Sequence, residues 1–130
     1  MIGVDSNLLA RFLLKDDPAQ YRRALAILET GEEFFIPVTV PLELAWVLGA
    51  RGVTCEEIAA SLRAILALPH ARPQHPDAVR KALGWVENGM DVADALHLAL
   101  SEKPARFVTF DSLLTRRAAR LGTRPLASAP

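Results

Sequence analysis

One cysteine, one tyrosine and two tryptophans are all that this chain of 130 residues holds of those types. A lone cysteine, Cys55, excludes an internal disulfide and fits a reducing compartment. It stands at the start of an acidic turn, TCEEI, with no basic neighbour to lower its pKa, so it reads as structural. Long apolar runs are also missing. The longest uncharged stretch is the nine residues FFIPVTVPL, too short to span a bilayer. The opening MIGVDS lacks both the basic segment and the apolar run of a secretory leader. These absences predict a cytoplasmic protein. Net charge is the third absence. Fifteen basic residues balance fifteen acidic ones, so bulk charge gives no pointer to nucleic acid. No internal repeat, low-complexity segment or linker interrupts the chain, and its length predicts one domain over residues 1–130 with a real core.

What is present is ordinary globular material, half apolar and about a quarter charged. Arginine outnumbers lysine twelve to three. The guanidinium fork suits phosphate clamping because it binds two oxygens at once. A compositional bias toward Arg, Ala and Leu is the plainer account.

Helical and extended patterns alternate. MIGVD is a short apolar run ending in an acid, and SNLLARFLL has apolar residues at helical spacing. PAQYRRALAILETG reads as a helix with Pro18 at its first position and Gly31 past its end. FFIPV is a buried strand bounded by Pro37, and PLELAWVLGARG a second apolar helix closed by Gly49 or Gly52. TCEEIAASLRAILALP opens with Thr54 and Glu57, a capping box. HARPQ is a weak edge strand, since Pro73 argues against a central one. HPDAVRKALGWVENG and DVADALHLALSEK are helices, RFVTF a strand, DSLLTRRAARLG a helix closed by Gly122, and TRPLAS a short last strand. The strands lack the apolar/polar alternation of a half-exposed sheet. This predicts an α/β fold with a parallel sheet covered on both faces.

Ten of the fifteen acids fall on polar faces or helix starts and read as solvated. Five interrupt apolar sequence. Asp5 and Asp111 end strands, Glu43 lies in the helix after FFIPVTV, and Asp91 and Asp94 open the apolar helix ADALHLAL. In an open parallel sheet the ligand crevice lies beyond the carboxyl ends of the strands, so strand-end acids converge on one edge. Two readings compete. Asp5, Asp91 and Asp111 stand where helices begin, and Asp is a favoured N-cap there. Glu43 and Asp94 resist that reading, because both sit among residues expected to be packed, with no dedicated basic partner. A buried carboxylate must be paired, protonated or bound to a cation. Several carboxylates meeting would suit Mg²⁺ or Mn²⁺, which take oxygen ligands. Such a site serves phosphodiester hydrolysis without an activated Ser, Cys or Lys.

On these residues the sequence resembles the PIN-domain nucleases, and more closely the VapC-type toxins of toxin–antitoxin pairs. VDSNLL resembles the first motif, PLELAWVL the second, DVADALHLA the third and FVTFD the fourth, in order across nearly the whole chain. The resemblance implies that Asp5, Glu43, Asp94 and Asp111 form the acidic quartet that binds Mg²⁺ or Mn²⁺ and positions the attacking water. Asp91 matches an additional acid found in many members. Ser6, Asn7 and Thr109 match the polar residues that orient carboxylates from outside. The resemblance further implies a three-layer α/β/α fold with strand order 3-2-1-4-5, a homodimer, an RNA substrate and an antitoxin that masks the cleft.

Other residues are assigned by pattern. Arg11, Lys15 and Arg116 are candidate RNA contacts, with a solvated surface as the alternative. Setting the five acids aside leaves fifteen basic against ten acidic residues, a mildly basic remainder. His97 reads as a packing residue, and His70 and His75 as surface. Trp46 and Trp85 read as core or dimer interface, not as base-stacking platforms. An aspartyl phosphatase would need a second acid where Asn7 stands, which counts against it. A receiver domain gives no reason for Glu43 and Asp94. The function expected is a metal-dependent endoribonuclease, with a housekeeping nuclease or a non-catalytic RNA- or protein-binding module as alternatives.

Overall fold

A computed structural model describes all of residues 1–130, as five short strands and seven helices. The order is β1 (Ile2–Gly3), α1 (Ser6–Leu14), α2 (Pro18–Leu28), β2 (Phe34–Ile36), α3 (Thr39–Ala50), α4 (Cys55–Leu66), β3 (Ala71–Pro73), α5 (Pro76–Glu87), α6 (Val92–Leu100), β4 (Arg106–Val108), α7 (Ser112–Leu121) and β5 (Leu126–Ser128). Every strand and helix expected from the pattern forms. Thr54 and Glu57 make the capping box of α4, and Pro18 opens α2 behind its cap Asp17.

All strand pairs are parallel, β1 with β2, β2 with β3, and β4 with β5. β3, which carries Pro73, lies at an edge as its composition requires. From that edge the first sheet runs 3-2-1, while β4 and β5 form a separate two-stranded sheet, so the expected single sheet of order 3-2-1-4-5 is not formed by hydrogen bonds. β1 is only two residues long and pairs with β2 on one edge. The result is an α/β/α fold whose parallel sheet is split into a three-stranded and a two-stranded part.

Phe34 and Ile36 of the central strand β2 share one face and are both buried, while Phe35 on the opposite face is half-buried. One core of 28 buried residues runs through the molecule, from Val4 and Leu9 through Leu44 and Leu62 to Leu98 and Leu114. α6 contributes Ala95, Leu96, Leu98 and Ala99 to it, which leaves Asp94 on the border of that apolar surface. No helix is long and apolar enough to cross a membrane.

Candidate active site

Three of the five acids are helix caps. Asp5 ends the segment after β1 and accepts a hydrogen bond from Leu8 N–H through Oδ1 at 2.9 Å. Asp91 caps α6 by accepting from Ala93 N–H through Oδ2 at 3.1 Å. Asp111 follows β4 and caps α7, with Oδ1 accepting from Leu114 N–H at 3.0 Å. Each cap occupies one carboxylate oxygen and leaves the other available, so capping and metal binding do not exclude each other. The chain turns into α6 at Gly89, whose φ of 98° is open to glycine at little cost. That turn buries Met90 and sets Asp91 at the helix mouth.

Asp94 stands one turn further in and is half-buried. Burial, then the charges of Asp91 and Asp111, push its carboxyl above the ordinary range; His97 and Arg117 oppose this more weakly. Asp91, Asp94 and Asp111 thus share one electrostatic neighbourhood. No hydrogen bond stabilises the Asp94 carboxylate.

Glu43 departs from expectation. It is exposed on α3, not packed, because the apolar face of that helix is carried by Val40, Leu44, Ala45 and Leu48. The helix is so rich in apolar residues that the sequence does not show which face is buried. Glu43 is nonetheless held: the buried Ser6 hydroxyl donates to its Oε2 at 2.6 Å. This bond joins the first and second motifs directly. Thr109 also acts on an acid, with its Oγ1 accepting from the Asp111 N–H at 3.0 Å. Asn7, by contrast, makes no bond to a carboxylate. It is exposed and lines a groove of about 520 Å³ between α1 and α2, together with Leu8, Arg11, Gln20, Arg23 and Ile27.

The basic candidates divide. Arg11 binds both oxygens of Asp16, at 2.7 and 2.8 Å, and Arg51 reaches the same carboxylate at 3.2 Å. The arginines hold the Asp16 carboxyl below its ordinary value. Asp16, expected to be merely solvated, therefore ties α1 to the end of α3. Lys15 lies over the Tyr21 ring at 5.3 Å. Arg116 is exposed, while Arg120 donates to the Asn88 carbonyl oxygen at 3.1 Å and so links α7 to the end of α5. His97, expected to be packed, is exposed, and its ring stacks on Phe107 at the surface with ring centres 6.4 Å apart. Trp85 is half-buried beneath Lys81. Trp46 is 77% exposed and so is no core residue. It follows Glu43 by three positions, on the face that α3 leaves open.

Whether these residues suit a cation can be judged from their partners. Of the other ten acids, Asp16, Glu33, Asp77 and Glu87 each pair with an arginine and Glu32 with the terminal amine, while five form no ion pair. None of Asp5, Glu43, Asp91, Asp94 and Asp111 forms an ion pair. Their chemistry, all oxygen and all negative, suits Mg²⁺ or Mn²⁺. Their spacing is looser than a finished cage, since no three His, Cys, Asp or Glu side chains draw close enough to grip one ion. Mutual repulsion and the pull of the three caps both favour that spread. None of the five acids lines one of the four main hollows of the surface.

A comparison with curated proteins finds no match. The PIN domain family, however, matches residues 2–120, a span that contains all four acidic motifs. The chain belongs to the PIN-domain family, whose members are generally nucleases.

Proposed function

We propose that this protein is a metal-dependent endoribonuclease and the toxin of a toxin–antitoxin pair. The observation that carries the nuclease reading is that the five acids of the four motifs carry no ion pair, while burial and then the charges of Asp91 and Asp111 raise the carboxyl of the half-buried Asp94. The toxin role rests on the resemblance of the four motifs to VapC-type proteins.

In this reading Asp5, Asp94 and Asp111 offer oxygens to Mg²⁺ or Mn²⁺, and Asp91 assists through its free oxygen. When bound, the ion lowers the pKa of a water and offsets charge on the scissile phosphate. Glu43, fixed by Ser6, orients that water for in-line attack. Thr109 steadies the backbone that presents Asp111. Arg116 is the exposed cation best placed by sequence to meet the RNA backbone after Asp111. Arg11 is engaged with Asp16 and acts there only if that pair opens. The active form is a homodimer, and an antitoxin covers the acidic face.

Cleavage of single-stranded RNA should need added Mg²⁺ or Mn²⁺, stop with EDTA, and vanish in Asp5→Asn and Asp94→Asn while the fold persists. Metal-independent cleavage, or full activity in both variants, overturns the proposal. The loose spacing of the acids favours one competing reading, a non-catalytic PIN module. A Mn²⁺ titration separates the two: a metal site raises the melting temperature, and a module without one does not respond. Sedimentation gives the mass that tests the dimer. Co-purification with the product of a neighbouring small gene tests the antitoxin, and its absence would support a housekeeping nuclease.

A further inference from the structure

Phe110 is the most exposed large apolar residue of the chain, at 92%, and it immediately precedes Asp111. An aromatic ring left in water this completely forgoes the stabilisation of burial. It is also firmly mounted. On one side Thr109 N–H donates to the Ser128 carbonyl at 3.0 Å. On the other, Asp111 N–H donates to the Thr109 hydroxyl and the Asp111 carboxylate caps α7. The backbone on both sides of the ring is thus fixed, and the same Asp111 that holds it shares the electrostatic neighbourhood of Asp91 and Asp94. The ring's residue is the immediate chain neighbour of Asp111, so it is carried by the same end of β4 as that acid.

We propose that Phe110 is a stacking platform for an unpaired base of the RNA next to the scissile phosphate. This rests on the nuclease reading above and adds to it a base contact, since the unpaired bases of that single-stranded RNA have an open face for a ring. Stacking is tolerant of base identity, so Phe110 contributes affinity and register more than sequence choice. It is a positioning residue, with the carboxylates doing the chemistry.

The test measures binding of a labelled short single-stranded oligoribonucleotide by anisotropy, with Ca²⁺ present, and cleavage of the same oligomer with Mg²⁺. Phe110→Ala should weaken binding by roughly 5- to 100-fold, the range for loss of one base–aromatic stack. KM should rise by a similar factor and kcat change little, with the Mn²⁺-induced thermal shift intact. Phe110→Trp should restore affinity, and Phe110→Leu, apolar but without a π face, should not. Unchanged binding in Phe110→Ala overturns the proposal, as does full rescue by Phe110→Leu. So does a drop in oligomeric mass that accounts for the lost activity, since the ring would then serve an interface between copies of the chain. If the wild-type protein neither binds nor cleaves RNA, the nuclease reading itself falls and takes this one with it.

Discussion

The Ser6 hydroxyl donates a 2.6 Å hydrogen bond to the Glu43 carboxylate, across 37 positions of sequence. Ser6 is buried at the start of α1 and Glu43 exposed on α3, so the bond sets the direction of an otherwise free side chain. Partners of this kind typically hold about 10- to 100-fold in activity or metal affinity. Ser6→Ala should therefore reduce cleavage by about that factor. Its effect on the melting temperature should be small, because water can reach Glu43 once the hydroxyl is gone. Ser6→Thr, which keeps a hydroxyl, should recover part of the activity. Equal activity in Ser6→Ala and wild type would remove Glu43's orientation from the mechanism.

Capping and metal binding at Asp111 separate by choice of substitution. Asn caps a helix about as well as Asp, whereas Ala forfeits roughly 1 kcal/mol. Asp111→Asn should then retain stability and lose most cleavage. Asp111→Ala should lose both, with denaturant melts showing about 1 kcal/mol of destabilisation. The same pair of changes at Asp91 decides its standing: an active Asp91→Asn would make that residue a cap alone.

Asp94 couples stability to pH. Its carboxyl is raised by burial first, then by Asp91 and Asp111. A carboxyl that holds its proton more tightly in the folded state destabilises the fold as pH rises from the ordinary carboxylate range through the raised value. Above that window the cost is fully present. Metal-free Asp94→Asn should accordingly melt higher than wild type at neutral pH, and the two curves should converge in acid. The same variant should be inactive, with a loss exceeding the 10- to 100-fold typical of an outer partner. Thermal scans from acid to neutral pH with EDTA would check the first point; a wild type as stable as the variant throughout would refute it.

The folding pattern was legible because its signals are local. Helix starts and stops at Thr54, Pro18, Gly89 and Gly122 depend on backbone chemistry within a few residues. The four acidic motifs were legible for the same reason, being short and in order. The face of α3 was not. With Leu42, Leu44, Ala45, Trp46 and Val47 all apolar, the helix has no polar stripe to orient it, and tertiary packing alone decides that Leu44 is buried and Trp46 exposed. The Asp16 ion pairs are not legible in the sequence, because Arg51 is distant along the chain. Phe110 was equally hidden: RFVTF reads as a strand to its end, but β4 stops at Val108 and the ring falls in the turn beyond.

Asp16 makes the remaining prediction one about charge. It holds Arg11 and Arg51 together on the surface, and the Arg11 bond is the leading cause of its lowered pKa. A depressed carboxylate pKa gives stability that is present above the ordinary value and lost as pH falls through the lowered one. Exposed pairs of this sort contribute little to folding, so Asp16→Asn should barely move the melting temperature at neutral pH. Its effect should appear in RNA binding, because the substitution releases two guanidinium groups and removes a negative charge. Binding of single-stranded RNA at low salt should tighten. Its logarithmic salt slope should steepen by about 0.7 for each arginine that reaches a phosphate. Anisotropy titrations of wild type and Asp16→Asn over a salt series give both quantities. An unchanged slope would mean that neither Arg11 nor Arg51 lies on the path of the RNA, and would leave Arg116 as the cation to test next.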